Sequence, residues 1–127
     1  MTMMYKGKAK IQYFKSWIIA WTDKDIINYY YSLIPPAKYP SRPRSVAHIT
    51  VVRMEPKETV GQEGKSLWRR HQNRVISFSY DGVINYQKPY FFLHVWSDEI
   101  GQIREELGLP KYRQGFDCYH ITIGNTK

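Results

Sequence analysis

The chain has 127 residues and a mass of 15.2 kDa, enough for a single domain spanning 1–127 but not for a cofactor domain beside a substrate domain. Mean hydropathy is -0.55, and no apolar run approaches the roughly 18 residues of a membrane-spanning helix, so no membrane partner is expected. Nineteen Lys+Arg against 11 Asp+Glu give +8 at neutral pH, and 16% of residues are aromatic, which suits an anionic partner with stackable bases.

In chain order, the first predicted element is a long strand over Lys8 to Trp21. Ala9, Ile11, Tyr13, Trp17, Ile19 and Trp21 recur at period two, broken at Lys15. Thr22 reads as a helix N-cap with Asp23 and Asp25 in the first turn, and Ile26, Ile27, Tyr30 and Ile34 follow at helical spacing up to Pro35. Pro35 to Ser45 is a Pro-rich, basic loop, and Ala47 to Met54 is a β-branched strand. A short helix with Trp68 is predicted within Glu63 to Gln72, then a strand over Arg74 to Tyr80. Asp81-Gly82 signals a hairpin into Val83 to Gln87. Tyr90 to Trp96 is too apolar for an exposed strand. Ser97 caps a second helix with Ile100, Ile103 and Leu107 on one face, ended by Gly108 and Pro110, and Tyr119 to Gly124 is a last strand.

Strand, capped helix, loop and strand thus occur twice. The cap-to-histidine spacing is 26 residues (Thr22 to His48) in one half and 23 (Ser97 to His120) in the other, the pattern of a divergent internal duplication. Each half ends in the same tripeptide, His48-Ile49-Thr50 and His120-Ile121-Thr122. In a strand, alternate residues share a face, so each tripeptide presents an imidazole and a hydroxyl together and buries its isoleucine behind them. With six threonines in the chain, two such histidines arise by accident on the order of once in a hundred sequences, so the symmetric pair carries weight that one copy would not.

The chemistry that fits is transfer at a phosphodiester. One imidazole takes a proton from the nucleophile, the other gives one to the leaving oxygen, and the threonine hydroxyls hold the non-bridging oxygens. No metal or cofactor is called for. A two-histidine metal site is the alternative, but no carboxylate stands at matching spacing beside either histidine.

The two tripeptides resemble the paired His-hydrophobic-Thr/Ser signatures of the 2H phosphoesterase superfamily. Its members include RNA 2′,3′-cyclic phosphodiesterases, often labelled 2′-5′ RNA ligases, and 2′,5′-oligoadenylate phosphodiesterases. The resemblance implies a bilobal α+β fold, two pseudo-symmetric strand-helix-strand lobes around a central cleft, with metal-independent chemistry. It extends over most of the chain through the repeated element order, while residue-level identity rests on the tripeptides. At 127 residues the chain is closer in size to small phage-encoded members, among them anti-CBASS phosphodiesterases, which destroy cyclic di- and trinucleotide immune signals. Size, basic charge and a Tyr- and Trp-rich opening strand carry that narrower likeness.

The expected activity is therefore a phosphodiesterase with His48 and His120 as catalytic acid and base and Thr50 and Thr122 on the scissile phosphate. Its substrate is a cyclic oligonucleotide or a short RNA. The alternatives are RNA 2′,3′-cyclic phosphodiesterase or RNA-end processing, and a non-catalytic nucleotide sponge. Tyr13 on the opening strand, and Tyr39 and Arg44 in the basic loop (with Lys38 and Arg42), are the further substrate-binding candidates. Trp17 reads as core, and Trp68 as either a stacking platform or a core anchor. Arg69, Arg70 and Arg74 could steer an anion, but such a run usually faces water. His94 reads as a satisfied core or interface residue, His71 as solvated, and Tyr119 as structural. Cys118, the one cysteine, admits no internal disulfide or cysteine zinc site and reads as incidental. No obligate protein partner is expected. With no cationic leader before an apolar stretch, the expected setting is cytoplasmic (the host cytoplasm if phage-encoded).

Overall fold

The computed structural model describes residues 3–38, 40–43, 47–53, 58–113 and 115–126. In chain order the elements are β1 (Tyr5–Tyr13), β2 (Trp17–Trp21), α1 (Lys24–Ser32), a 3-10 turn (Pro36–Lys38), β3 (Pro40–Ser41) and β4 (His48–Arg53). There follow α2 (Gln62–Ser66), β5 (Val75–Tyr80), β6 (Asn85–Gln87), β7 (Tyr90–Trp96), α3 (Asp98–Glu106) and β8 (Tyr119–Thr126).

The strands form one antiparallel sheet in the order β3-β8-β4-β2-β1-β5-β7-β6, and β8 also pairs with β7. That extra pairing closes β8, β4, β2, β1, β5 and β7 into a six-stranded barrel, with β3 and β6 as short flanking strands. The expected bilobal α+β fold with two strand-helix-strand lobes is therefore overturned. The two repeated units exist as β2–α1–β4 and β7–α3–β8, but each helix packs away from its own unit. α1 lies against β8, and α3 against β4 and β5. Neither unit can close its own core, so the apolar faces merge into a single cluster running from Ala9 and Ile11 through Ile49, Val51, Leu93, Ile100 and Ile121.

Local departures from the sequence reading have local causes. The opening strand is a hairpin. The chain reverses at Phe14 to Ser16, Phe14 N–H donates to Trp17 O, and Ile11 pairs with Ala20, so the break at Lys15 marks the turn. The cap of α1 falls one residue later than expected. Asp23 accepts from Asp25 N–H, while Thr22 Oγ1 is buried with no hydrogen-bond partner. Ser97 does cap α3, accepting from Ile100 N–H, and Gly108 ends that helix in the left-handed region at φ +82°. Asp81-Gly82 turns the chain without closing a hairpin, because the edge of β5 is already paired to β7 through Tyr80 and Val95. Among the described residues, no helix is long and apolar enough to cross a membrane.

Candidate functional site

The two units share a register. On β2 and β4, Trp21 stands opposite His48, Ile19 opposite Thr50, and Ile18 opposite Val52. On β7 and β8, His94 stands opposite His120, Phe92 opposite Thr122, and Phe91 opposite Gly124. Each ladder skips one residue at the same place, Val51 in one unit and Ile123 in the other, so each carries a β-bulge directly after its threonine. β4 and β8 then meet at Ile49 and Ile121, the central residues of the two tripeptides. Antiparallel pairing at that point sets His48 opposite Thr122 and Thr50 opposite His120.

Both isoleucines are fully buried, and the histidines and threonines are half-buried on the other face. His48, Thr50, His120 and Thr122 all line one cleft of about 750 Å3, together with Arg53, Tyr90, Arg113, Phe116, Cys118 and Asn125. The bulges explain two of these. Without an extra residue, period two would turn Arg53 and Asn125 to the side opposite the histidines. With it, Val51 and Val52 both enter the core, as do Ile123 and Gly124, and Arg53 and Asn125 return to the cleft.

One arginine anchors this edge from behind. Arg104 of α3 is fully buried; its Nη1 donates to Val51 O at 2.7 Å, meeting the carbonyl of the bulged residue, and its Nε donates to Pro110 O at 2.8 Å. Its charge is met by Glu58, whose Oε1 also accepts from Arg53 N–H at 3.1 Å and lies 3.9 Å from Arg113 Nε. A buried pair is a weak source of net stability, but the four hydrogen bonds from Arg104 tie α3 to Val51, Glu58 and Pro110. Here the geometry it fixes includes two cleft arginines.

The neighbours of the histidines differ. The His48 ring meets the edge of Trp21 at 5.9 Å, and Phe14 and Trp17 continue that aromatic group outward. Trp17 is 41% exposed, so it is not the core residue expected of it. The His120 ring is surrounded by Phe92, Phe116 and His94, with ring centroids at 4.9, 5.2 and 5.8 Å, and Cys118 Sγ lies 3.9 Å from its Nε2. Burial lowers the His120 pKa, with the His94 and Arg113 charges adding to that, while Asp117 opposes it. Burial also pushes the Cys118 thiol up to about 11.

Other sequence candidates lie elsewhere. Tyr13 does not reach the cleft. It is 2% exposed, its ring stands edge-on to Trp68, and its hydroxyl accepts from His71 N–H, because β1 is separated from β4 by β2. Trp68 is an anchor, donating through Nε1 to Phe14 O. His71 is half-buried between Glu106 and Arg74 rather than solvated. Tyr39 and Arg44 lie outside the described residues. Cys118 and His94, set aside on sequence, both stand at His120. The face shared by Phe92, His94 and Trp96 was a readable signal, but setting His94 beside His120 required knowing that β7 pairs with β8.

No family model, curated protein or solved structure matches the chain.

Proposed function

We propose that the cleft hydrolyses a ribonucleotide phosphodiester without a metal. The observation that carries this reading is the meeting of the two His-Ile-Thr tripeptides at Ile49 and Ile121, with all four polar side chains lining one cleft. A 2′-hydroxyl or a water attacks phosphorus and the P–O bond to the leaving oxygen breaks. One of His48 and His120 takes the nucleophile's proton and the other protonates the leaving oxygen; in a two-step reaction the roles exchange. Thr50 and Thr122 donate to the non-bridging oxygens, and Arg53 and Arg113 supply positive charge at the same cleft. The overall charge of +8 favours approach of such a substrate. Cyclic oligonucleotide signals, short RNAs and RNA ends bearing a 2′,3′-cyclic phosphate are substrate classes this chemistry admits.

Incubation with cyclic dinucleotides, cyclic trinucleotides and 2′,3′-cyclic mononucleotides, read by mass, tests it. Linear or ring-opened products in one class support the reading and name the class. Ligand that stays intact and bound would replace hydrolysis with sequestration. Chelator treatment is expected not to lower the rate, and rescue of a chelated chain by a divalent ion overturns the metal-free mechanism.

A further inference from the structure

We propose that His94, Cys118 and His120 form a three-ligand site for a zinc-type divalent cation, and that a metal bound there silences the cleft by occupying His120. The silencing rests on the phosphodiesterase reading; the site itself does not.

One donor atom from each residue lies within 4.8 Å of the other two, and Cys118 Sγ is 3.9 Å from His120 Nε2. Tetrahedral zinc, with bonds of about 2.0–2.1 Å to imidazole and 2.3 Å to thiolate, sets such atoms roughly 3.3–3.6 Å apart. Side-chain rotation of about 1 Å closes the difference within the ordinary reach of these rotamers. The backbone is already in place, since His94 and His120 are cross-strand partners and Cys118 stands one residue before β8.

The donor set selects the metal. One thiolate and two imidazoles suit Zn2+ or Co2+, whereas Mg2+ and Ca2+ require oxygen ligands. On binding, the Cys118 thiol releases its proton to solvent and the sulfur and two imidazole lone pairs form the bonds; nothing is oxidised or reduced. A fourth position opens to the cleft that Cys118 and His120 line. A neutral imidazole has one free lone pair, and a His120 ring that holds a metal with it no longer accepts a proton from a nucleophile, so His120 serves either metal or catalysis, not both.

Titrating the full chain with Co2+ tests the site without any assay of turnover. The expected result is a thiolate-to-cobalt charge-transfer band with intense tetrahedral visible bands, displaced by Zn2+. Cys118→Ser removes the charge-transfer band, and His94→Ala weakens binding by more than about tenfold. No such bands in the native chain, or an unchanged spectrum in both variants with native circular dichroism, overturns the site.

Zn2+ added during hydrolysis of a 2′,3′-cyclic mononucleotide tests the silencing, each protein being compared with its own zinc-free rate. Inhibition that needs more than about tenfold more Zn2+ in Cys118→Ser supports it. A cobalt-binding chain whose turnover ignores zinc, or is raised by it, overturns the silencing and keeps the site. No turnover of any substrate defeats the phosphodiesterase reading and the silencing with it, while the cobalt spectrum still decides the site.

Discussion

The β2–α1–β4 and β7–α3–β8 units share a strand register and differ in chemistry. Both set a histidine and a threonine on one face, place a bulge after the threonine, and return the next polar residue, Arg53 or Asn125, to the cleft. They part at the residue across from the histidine. Trp21 fills that place in the first unit, its indole donating to Gln12, so the His48 ring stands against an aromatic wall. His94 fills it in the second, so His120 has an imidazole and the Cys118 thiol as neighbours. Strand register places a functional group, and the residue across the ladder sets which side chains stand beside it. Two imidazoles in equivalent positions need not be equivalent groups.

Several substitutions break or sharpen that contrast. On the phosphodiesterase reading the largest effect comes from the histidines. His48→Ala and His120→Ala should each lower kcat by about 10²–10⁴-fold with native circular dichroism, and the double variant should lose much less than the product of the two. Full activity in either single variant removes the mechanism.

Arg104 comes next, because it belongs to the second unit's helix yet supports the first unit's bulge. Arg104→Met leaves the largely buried Glu58 with only Arg53 N–H and the more distant Arg113, and urea unfolding should show a loss of about 3–5 kcal/mol. If stability were retained, the pair would not be what fixes the edge of β4.

Thr50→Val and Thr122→Val should each slow turnover by about 10–100-fold, the worth of one hydrogen bond to a charged oxygen. Equal losses would mean the units share the phosphate evenly, and a large difference would assign it to one side. The smallest effects are at the caps. Asp23→Ala should cost about 1 kcal/mol in thermal or urea unfolding. Ser97→Ala should cost more, since Ser97 Oγ both accepts from Ile100 N–H and donates to Ser77 O at 2.7 Å.

Much of the site was legible before any coordinates. The alternation in His48-Ile49-Thr50 and His120-Ile121-Thr122 assigns core and cleft faces correctly, because an isoleucine between two polar residues leaves a strand one economical way to bury itself. Ser97 and Gly108 likewise mark the ends of α3 through local hydrogen bonds and local backbone conformation. Tyr13 could not be placed on these grounds. Its period matched that of Trp21, but the turn at Phe14 to Ser16 put the two on different strands, and a β-branched, aromatic stretch reads much the same whether straight or folded back. Arg53 and Asn125 were hidden by the bulges, which shift the period by one residue with no glycine or proline at the step in β4.

Sequence alone determined that His48 with Thr50, and His120 with Thr122, leave one side of their strands with an isoleucine behind each pair, and that the strand-helix-strand order occurs twice. These are matters of near-neighbour spacing, where backbone geometry at periods of two and 3.6 suffices. Only the tertiary structure decided that the units merge into one closed barrel, that each helix covers the other unit's histidine strand, and that His94 and Cys118 stand beside His120. Those outcomes depend on which strand edges find each other and how one core is shared among distant segments, and no local pattern encodes that competition.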